Sequence, residues 1–154
     1  MSMSTTLERY LGDRQIAYDL IPHKRTDTAF NAAKTAHIPA KQMVKGVLLQ
    51  DDRGYLMAAM PANRRLALND INRMTHRHLQ LVSEEELARI LSGCEAGAVP
   101  ALGEAYGIET VWDEQLAFQS DFYIEAGDHR ELVHLSHASF RELMPDAHRA
   151  EITH

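Results

Sequence analysis

Only one of the 154 residues is a cysteine, Cys94, so no internal disulfide can form and a reducing cytoplasm is the expected setting. No apolar run approaches the about 20 residues that cross a bilayer, which argues against a membrane partner. The polar stretch 1–6 has no apolar signal core. There is no HExxH and no CxxC, so no residues have metal-ligand spacing, and neither a metal nor another cofactor is expected. No GxSxG elbow is present, which argues against a serine hydrolase of that type. Walker A and dinucleotide fingerprints are absent too. Without repeats, low-complexity tracts or linkers, residues 1–154 read as one domain, long enough for a core and too short for two.

The composition that remains is that of a soluble globular protein, 45% hydrophobic and 25% charged. Net charge is −6, but it is unevenly spread. Residues 1–80 hold twelve Lys or Arg against seven Asp or Glu (+5), and residues 81–154 hold four against fifteen (−11). A polyanion can dock on the first half of an acidic chain. Equally, the halves can interleave in the fold and mix their charges.

Periodicity predicts helices over 6–13, 28–36, 68–74, 83–91 and 139–144. Thr28 or Asp27 caps the second, and Ser83 with Glu86 forms a capping box on the fourth. Strands are expected over 16–21, 43–49, 55–60, 79–82, 108–112, 117–125 and 131–135. A turn at 51–54 makes 43–60 an antiparallel hairpin. Residues 93–107, rich in glycine and small side chains, read as an irregular loop that includes Ala96. The expected fold class is α/β of the α+β type, a mixed, largely antiparallel sheet or partial barrel with helices packed outside.

Lys45 is the most informative single residue. Alternation puts it on a face with Met43, Val47 and Leu49, while Val44 and Leu48 fill the other. A lysine on so apolar a strand either reaches a cavity holding an anionic or polarised ligand, or snorkels its ammonium to the rim. The loop from Gly93 to Gly103 can bring backbone N–H groups close to a carboxylate, phosphate or oxyanion, or can simply connect two elements. His23 and His129 each end a strand beside a turn, where sites are often built, though either can be structural. Cys94 has no evident base nearby and reads as a buried thiol. Arg64, Arg65 and residues 73–78 make a basic cluster that can meet phosphates or stay solvated.

In order and spacing these segments resemble the YbaK and prolyl-tRNA-synthetase-associated editing domains over nearly the whole chain. The carrying segments are His23-Lys-Arg-Thr26-Asp-Thr28-Ala29, Met43-Val-Lys45-Gly-Val-Leu-Leu and Met60-Pro-Ala-Asn-Arg-Arg-Leu. Further on come Ser83-Glu-Glu-Glu-Leu, Gly93-Cys-Glu-Ala-Gly97-Ala-Val-Pro100, Asp113 and Ala126-Gly-Asp-His129. Ala101 departs from the family, whose members often have proline there, which bears on loop shape and substrate preference. The resemblance implies the family's fold and a free-standing aminoacyl-tRNA deacylase. Its partners would be a mischarged tRNA and an aminoacyl-tRNA synthetase.

The resemblance also implies site roles. Lys45 would anchor the tRNA end or the carbonyl electrostatically, and the loop at Gly97 and Ala98 would supply N–H groups to the oxyanion. His23, Thr28, Pro100, Ala101, Asp113, Gly127 and His129 would line the substrate pocket. Local charge adds Arg64, Arg65 and Arg73 as tRNA contacts. A non-catalytic module that binds an amino acid or a tRNA end in the same pocket is the alternative.

Overall fold

The computed structural model describes residues 3–95, 97–145 and 148–154, leaving Ala96 of the loop outside the described residues. The chain forms a mixed α/β structure around one eight-stranded open sheet with order β1-β7-β6-β2-β3-β5-β8, β4 pairing separately with β2. In chain order the elements are α1 (Thr5–Asp13), β1 (Asp19–Pro22), α2 (Ala29–Thr35), β2 (Met43–Asp51), β3 (Gly54–Pro61), α3 (Leu68–Thr75), β4 (Gln80–Leu81), α4 (Glu84–Ile90), β5 (Thr110–Asp113), β6 (Asp121–Glu125), β7 (Glu131–Ser136), α5 (His137–Leu143) and β8 (Arg149–Ala150).

The β2–β3 hairpin is the backbone of the sheet, with eight rungs from Val44↔Pro61 to Asp51↔Gly54. Gly54 takes φ +124, a conformation that suits glycine in so tight a turn. Antiparallel pairs dominate, but β2–β6, β3–β5 and β5–β8 run parallel. Helices cover both faces. On one, Leu7 and Leu11 of α1 and Phe140 of α5 pack with Trp112, Phe122 and Ile124. Phe122 stacks on Phe140 at 3.8 Å, and Trp112 meets Phe140 edge-on at 5.5 Å. On the other, Ala32 and Ala33 of α2 pack on Met43 and Leu132, and Ile71 of α3 packs on Leu49 and Met60.

Four local expectations change. The strand expected over 117–125 is strand only at Asp121–Glu125. Glu114–Phe118 is instead a 3-10 helix, started by Asp113, whose carboxylate accepts from the Gln115 amide. The strand expected over 16–21 begins at Asp19 and ends on Pro22, which an edge strand tolerates because no ladder bond is lost. The capping box is half formed. Ser83 Oγ accepts from the Glu86 amide at 3.2 Å, but the Glu86 carboxylate turns to Tyr55 Oη (2.7 Å) and Gln50 Nε2 (3.0 Å). Within the expected irregular loop, Gly103–Tyr106 is a 3-10 helix. Thr28 is the cap of α2, accepting from the Asn31 amide at 3.1 Å.

Candidate active site

The parallel pairing of β2 with β6 lasts only two rungs, Met43↔Tyr123 and Val44↔Ile124. Beyond it the strands part. The next residue on β2 is Lys45 and the next on β6 is Glu125, and alternation puts both on the face of Met43 and Tyr123. Glu125 is opposite Leu132 on β7, and Leu132 is opposite Ile21 on β1. His23 follows Ile21 by two residues, so it continues that face. β1 and β6 run in the same direction, one ending just before His23 and the other at Glu125, while Lys45 lies beside Glu125's end of β6 near the start of β2, which runs the same way. The fork thus lies at the carboxyl end of β6 and the amino end of β2.

The side chains of Lys45 and Glu125 have no hydrogen-bond or ion-pair partner among the described residues, and His23 has one. The Lys45 ammonium is half-buried and makes no ion pair or hydrogen bond with a described residue. Burial lowers its pKa, and the nearby positive charge of Arg65 lowers it further. Glu125 is 2% exposed and neither carboxylate oxygen has a hydrogen-bond partner. Burial pushes its pKa up to about 7, helped by the negative charge of Asp128. His23 Nδ1 donates to the Lys24 carbonyl at 2.6 Å, and its buried Nε2 is without a partner.

Three loops meet at this end of the sheet. The Thr26 amide donates to the His129 carbonyl (3.3 Å), and the Glu95 amide to the Gly127 carbonyl (2.8 Å). Arg25 pairs with Glu95 at 2.8 Å across the outside. Gly97 has φ +82, and a Cβ there would sit 3.5 Å from both the Asp27 carbonyl oxygen and His129 Cε1. His129 itself is buried with φ +59, a left-handed conformation uncommon for a non-glycine residue. From Gly127 the glycine loop crosses to β2. A Cβ on Gly46 would lie 3.1 Å from Ala101 Cα and 3.2 Å from Val99 Cγ1. The loop therefore touches both prongs of the fork. An apolar cleft on its α4 side is lined by Leu87, Leu91, Cys94, Gly97 and Val99.

Of the expected site residues, His23, Thr28, Gly97, Gly127 and His129 come together at the loops, with Lys45 at the fork. Pro100 and Ala101 are buried under the opposite face, beside Gly46. Two residues cannot serve as expected. The Ala98 amide already donates to the Glu95 carbonyl at 3.0 Å, closing a turn, so it is not an open oxyanion donor. Asp113 is fully buried, and its carboxylate accepts from the Ile152 amide (3.1 Å), Thr153 Oγ1 (3.0 Å) and the Gln115 amide (3.3 Å). It anchors the C-terminal residues rather than facing a ligand.

The arginines also separate. Arg65 is exposed and lies near Lys45. Arg64 Nε donates to Thr153 Oγ1 at 2.6 Å, in the same clasp as Asp113. Arg73, on α3, pairs with Asp70 at 3.3 Å. Cys94 is held by Tyr106 Oη at 3.2 Å, and burial pushes its thiol pKa up, so it is no activated nucleophile. Glu125 escaped notice in the sequence because it alternates with Phe122 and Ile124 as a solvent-facing residue would. Only the two-rung register exposes it.

Among solved structures, a scaffold used for epitope backbone grafting by computational design superposes with a TM-score of 0.85 at 21% identity, covering 98% of this chain and 97% of that one. A structure proposed as a trans-editing enzyme for prolyl tRNA synthetase superposes with a TM-score of 0.81 at 22% identity, with 99% of each chain covered. A proposed signal transduction protein from Marinobacter aquaeolei VT8 matches at 23% identity and a TM-score of 0.80, where this chain covers 99% of itself but 31% of that longer chain. These likenesses establish the fold. No curated protein matches the sequence. The sequence pattern of the aminoacyl-tRNA editing domain matches residues 23–143, and the chain belongs to that family.

Proposed function

We propose that the chain is a trans-acting aminoacyl-tRNA deacylase that hydrolyses the ester of a mischarged tRNA at the fork between β2 and β6. The observation that carries this reading is the unpaired, half-buried ammonium of Lys45 at the point where the two strands part. An aminoacyl ester is already activated, so the site needs no strong nucleophile. Water adds to the ester carbonyl carbon and the carbonyl electron pair moves onto oxygen. Collapse breaks the bond to the ribose oxygen, which takes up a proton, releasing the amino acid and an intact tRNA. A fixed positive charge near the developing oxyanion or the adjoining phosphate stabilises that transition state more in a water-poor crevice than in bulk water.

With the Ala98 amide engaged, this electrostatic work falls chiefly to Lys45. The exposed Arg65 beside it suits contact with the tRNA backbone. The apolar cleft at the glycine loop offers a size limit on the amino-acid side chain, discriminating as an editing sieve does. The test is a panel of mischarged tRNAs incubated with the protein. Turnover of at least one ester supports the deacylase. Binding of the charged end without turnover of any ester instead favours a module that only holds it.

A further inference from the structure

Arg65 is exposed, lies close enough to Lys45 for its charge to lower the lysine's pKa, and makes no side-chain ion pair or hydrogen bond with a described residue. Like charges repel, so a long exposed arginine on a free turn would swing away into water. Here the turn is not free. The Ala62 amide donates to the Met43 carbonyl at 2.8 Å, which brings residues 62–65 to the Lys45 end of β2. The Arg65 amide donates to the His154 main-chain oxygen at 3.1 Å, and the His154 amide donates back to the Arg65 carbonyl at 2.9 Å. Next to this pair Leu66 and Thr153 form an antiparallel bridge, and the Ala67 amide donates to the Ile152 carbonyl at 2.7 Å.

The side chain of Thr153 keys this segment in place. Its hydroxyl has one proton, which goes to the fully buried Asp113 carboxylate at 3.0 Å, and a lone pair is left to accept from Arg64 Nε at 2.6 Å. The Ile152 amide adds a second bond to Asp113 at 3.1 Å. Arg64 is thereby drawn onto the buried clasp, while its neighbour Arg65 stays outside beside Lys45. Resting on the deacylase reading above, we propose that Thr153 is a positioning residue: keyed to Asp113, it holds Arg65 beside Lys45 so that the two cations together grip a phosphodiester near the single-stranded 3′ end of the RNA. An anion between two unpaired cations relieves their repulsion, and a phosphodiester offers one free oxygen to each. Asp113, closed to solvent, acts only through Thr153 and the Ile152 amide.

The test uses the full chain and a 5′-fluorescein-labelled RNA minihelix ending in single-stranded CCA, with affinity read by anisotropy over a series of salt concentrations. The RNA carries no ester, so binding is measured apart from turnover. Arg65→Gln is expected to weaken binding about 5- to 10-fold and to make the fall of log affinity with log salt shallower by about 0.7. Thr153→Val, which keeps the shape and removes the hydroxyl, is expected to weaken binding about 3- to 10-fold, and Thr153→Ser to bind as the wild type does. In the Arg65→Gln background Thr153→Val should cost no further affinity, although it lowers Tm in both backgrounds. A clasp that only stabilises the fold would move Tm and leave affinity alone. Arg64→Lys, which keeps the charge but lacks the Nε donor, enters the same cycle if Thr153→Val does not fold. Unchanged affinity in Arg65→Gln or in the folded clasp variant overturns the proposal. So do losses that multiply in the double variant, a Thr153→Ser as weak as Thr153→Val, or a wild type that does not bind the RNA. Coupling without turnover of any mischarged tRNA keeps Thr153's role and retires the deacylase, whereas turnover without coupling retires only Thr153's role.

Discussion

At the hairpin end of β2, Asp51 is met from several sides. Arg77 Nε donates to it at 2.9 Å, the Arg53 amide does so at 2.9 Å, and the Arg77 guanidinium holds its carboxyl well below the usual range. Its neighbour Glu86, on α4, is likewise taken up by Tyr55 and Gln50. At the other end of the same strand, Lys45 has no side-chain partner among the described residues, and neither has Glu125 at the end of β6, one position past the last shared rung. One strand thus carries charge in two ways. A sheltered charge whose hydrogen bonds are complete holds the fold together. Charges left incomplete cost stability, and a site that meets them with a ligand is the physical reason to retain them.

The largest expected effect follows from removing the charge at the open end. Lys45→Ala should slow deacylation by about 100-fold or more with little change in Tm. At the closed end the pattern reverses. Arg77→Met strips Asp51 of its cation, so Tm should fall while the rate per folded molecule stays near wild type. A loss of activity without a loss of Tm would break the contrast.

Glu125 should show its cost as a function of pH. Its carboxyl titrates at about 7 in the folded chain against an ordinary 4.5. Between those values the folded state holds the proton more tightly than the unfolded state does. Stability from this group is therefore full below about 4.5 and is lost as pH rises through about 7, by about 3 kcal/mol in all. Glu125→Gln should flatten that part of the stability profile in denaturant titrations across this range, leaving what Glu131, whose carboxyl is also raised, contributes. The smallest expected effect is at Gly46. Its Cβ would press on Met57 Sδ at 3.0 Å and on Ala101, so Gly46→Ala should cost about 1–3 kcal/mol as the loop shifts, read by chemical unfolding.

The sequence carried much of this arrangement. The hairpin was legible because 43–49 and 55–60 are apolar runs around a turn, and α2 because Thr28 precedes an alanine-rich stretch. The parallel rungs β2–β6 and β3–β5 were not legible, since they join segments far apart in the chain and no local pattern encodes which strand a buried strand will meet. That is why Lys45 could be singled out as an oddity while Glu125 could not: its meaning depends on the register. Asp113 misled for the opposite reason. A polar residue at a strand end suggests a ligand, but here it is met by the amide of Ile152 and the hydroxyl of Thr153, and neither contact is foreseeable without the fold. The 3-10 helix at Glu114–Phe118 was hidden by apolar residues that read equally well as strand.

The most direct test is a single-turnover assay of mischarged tRNA, comparing wild type, Lys45→Ala and Arg77→Met at equal concentrations of folded protein. If the fork is the site, the wild type releases the amino acid, Arg77→Met does so at a similar rate, and Lys45→Ala is slowed by about 100-fold or more. Equal rates for wild type and Lys45→Ala would contradict it.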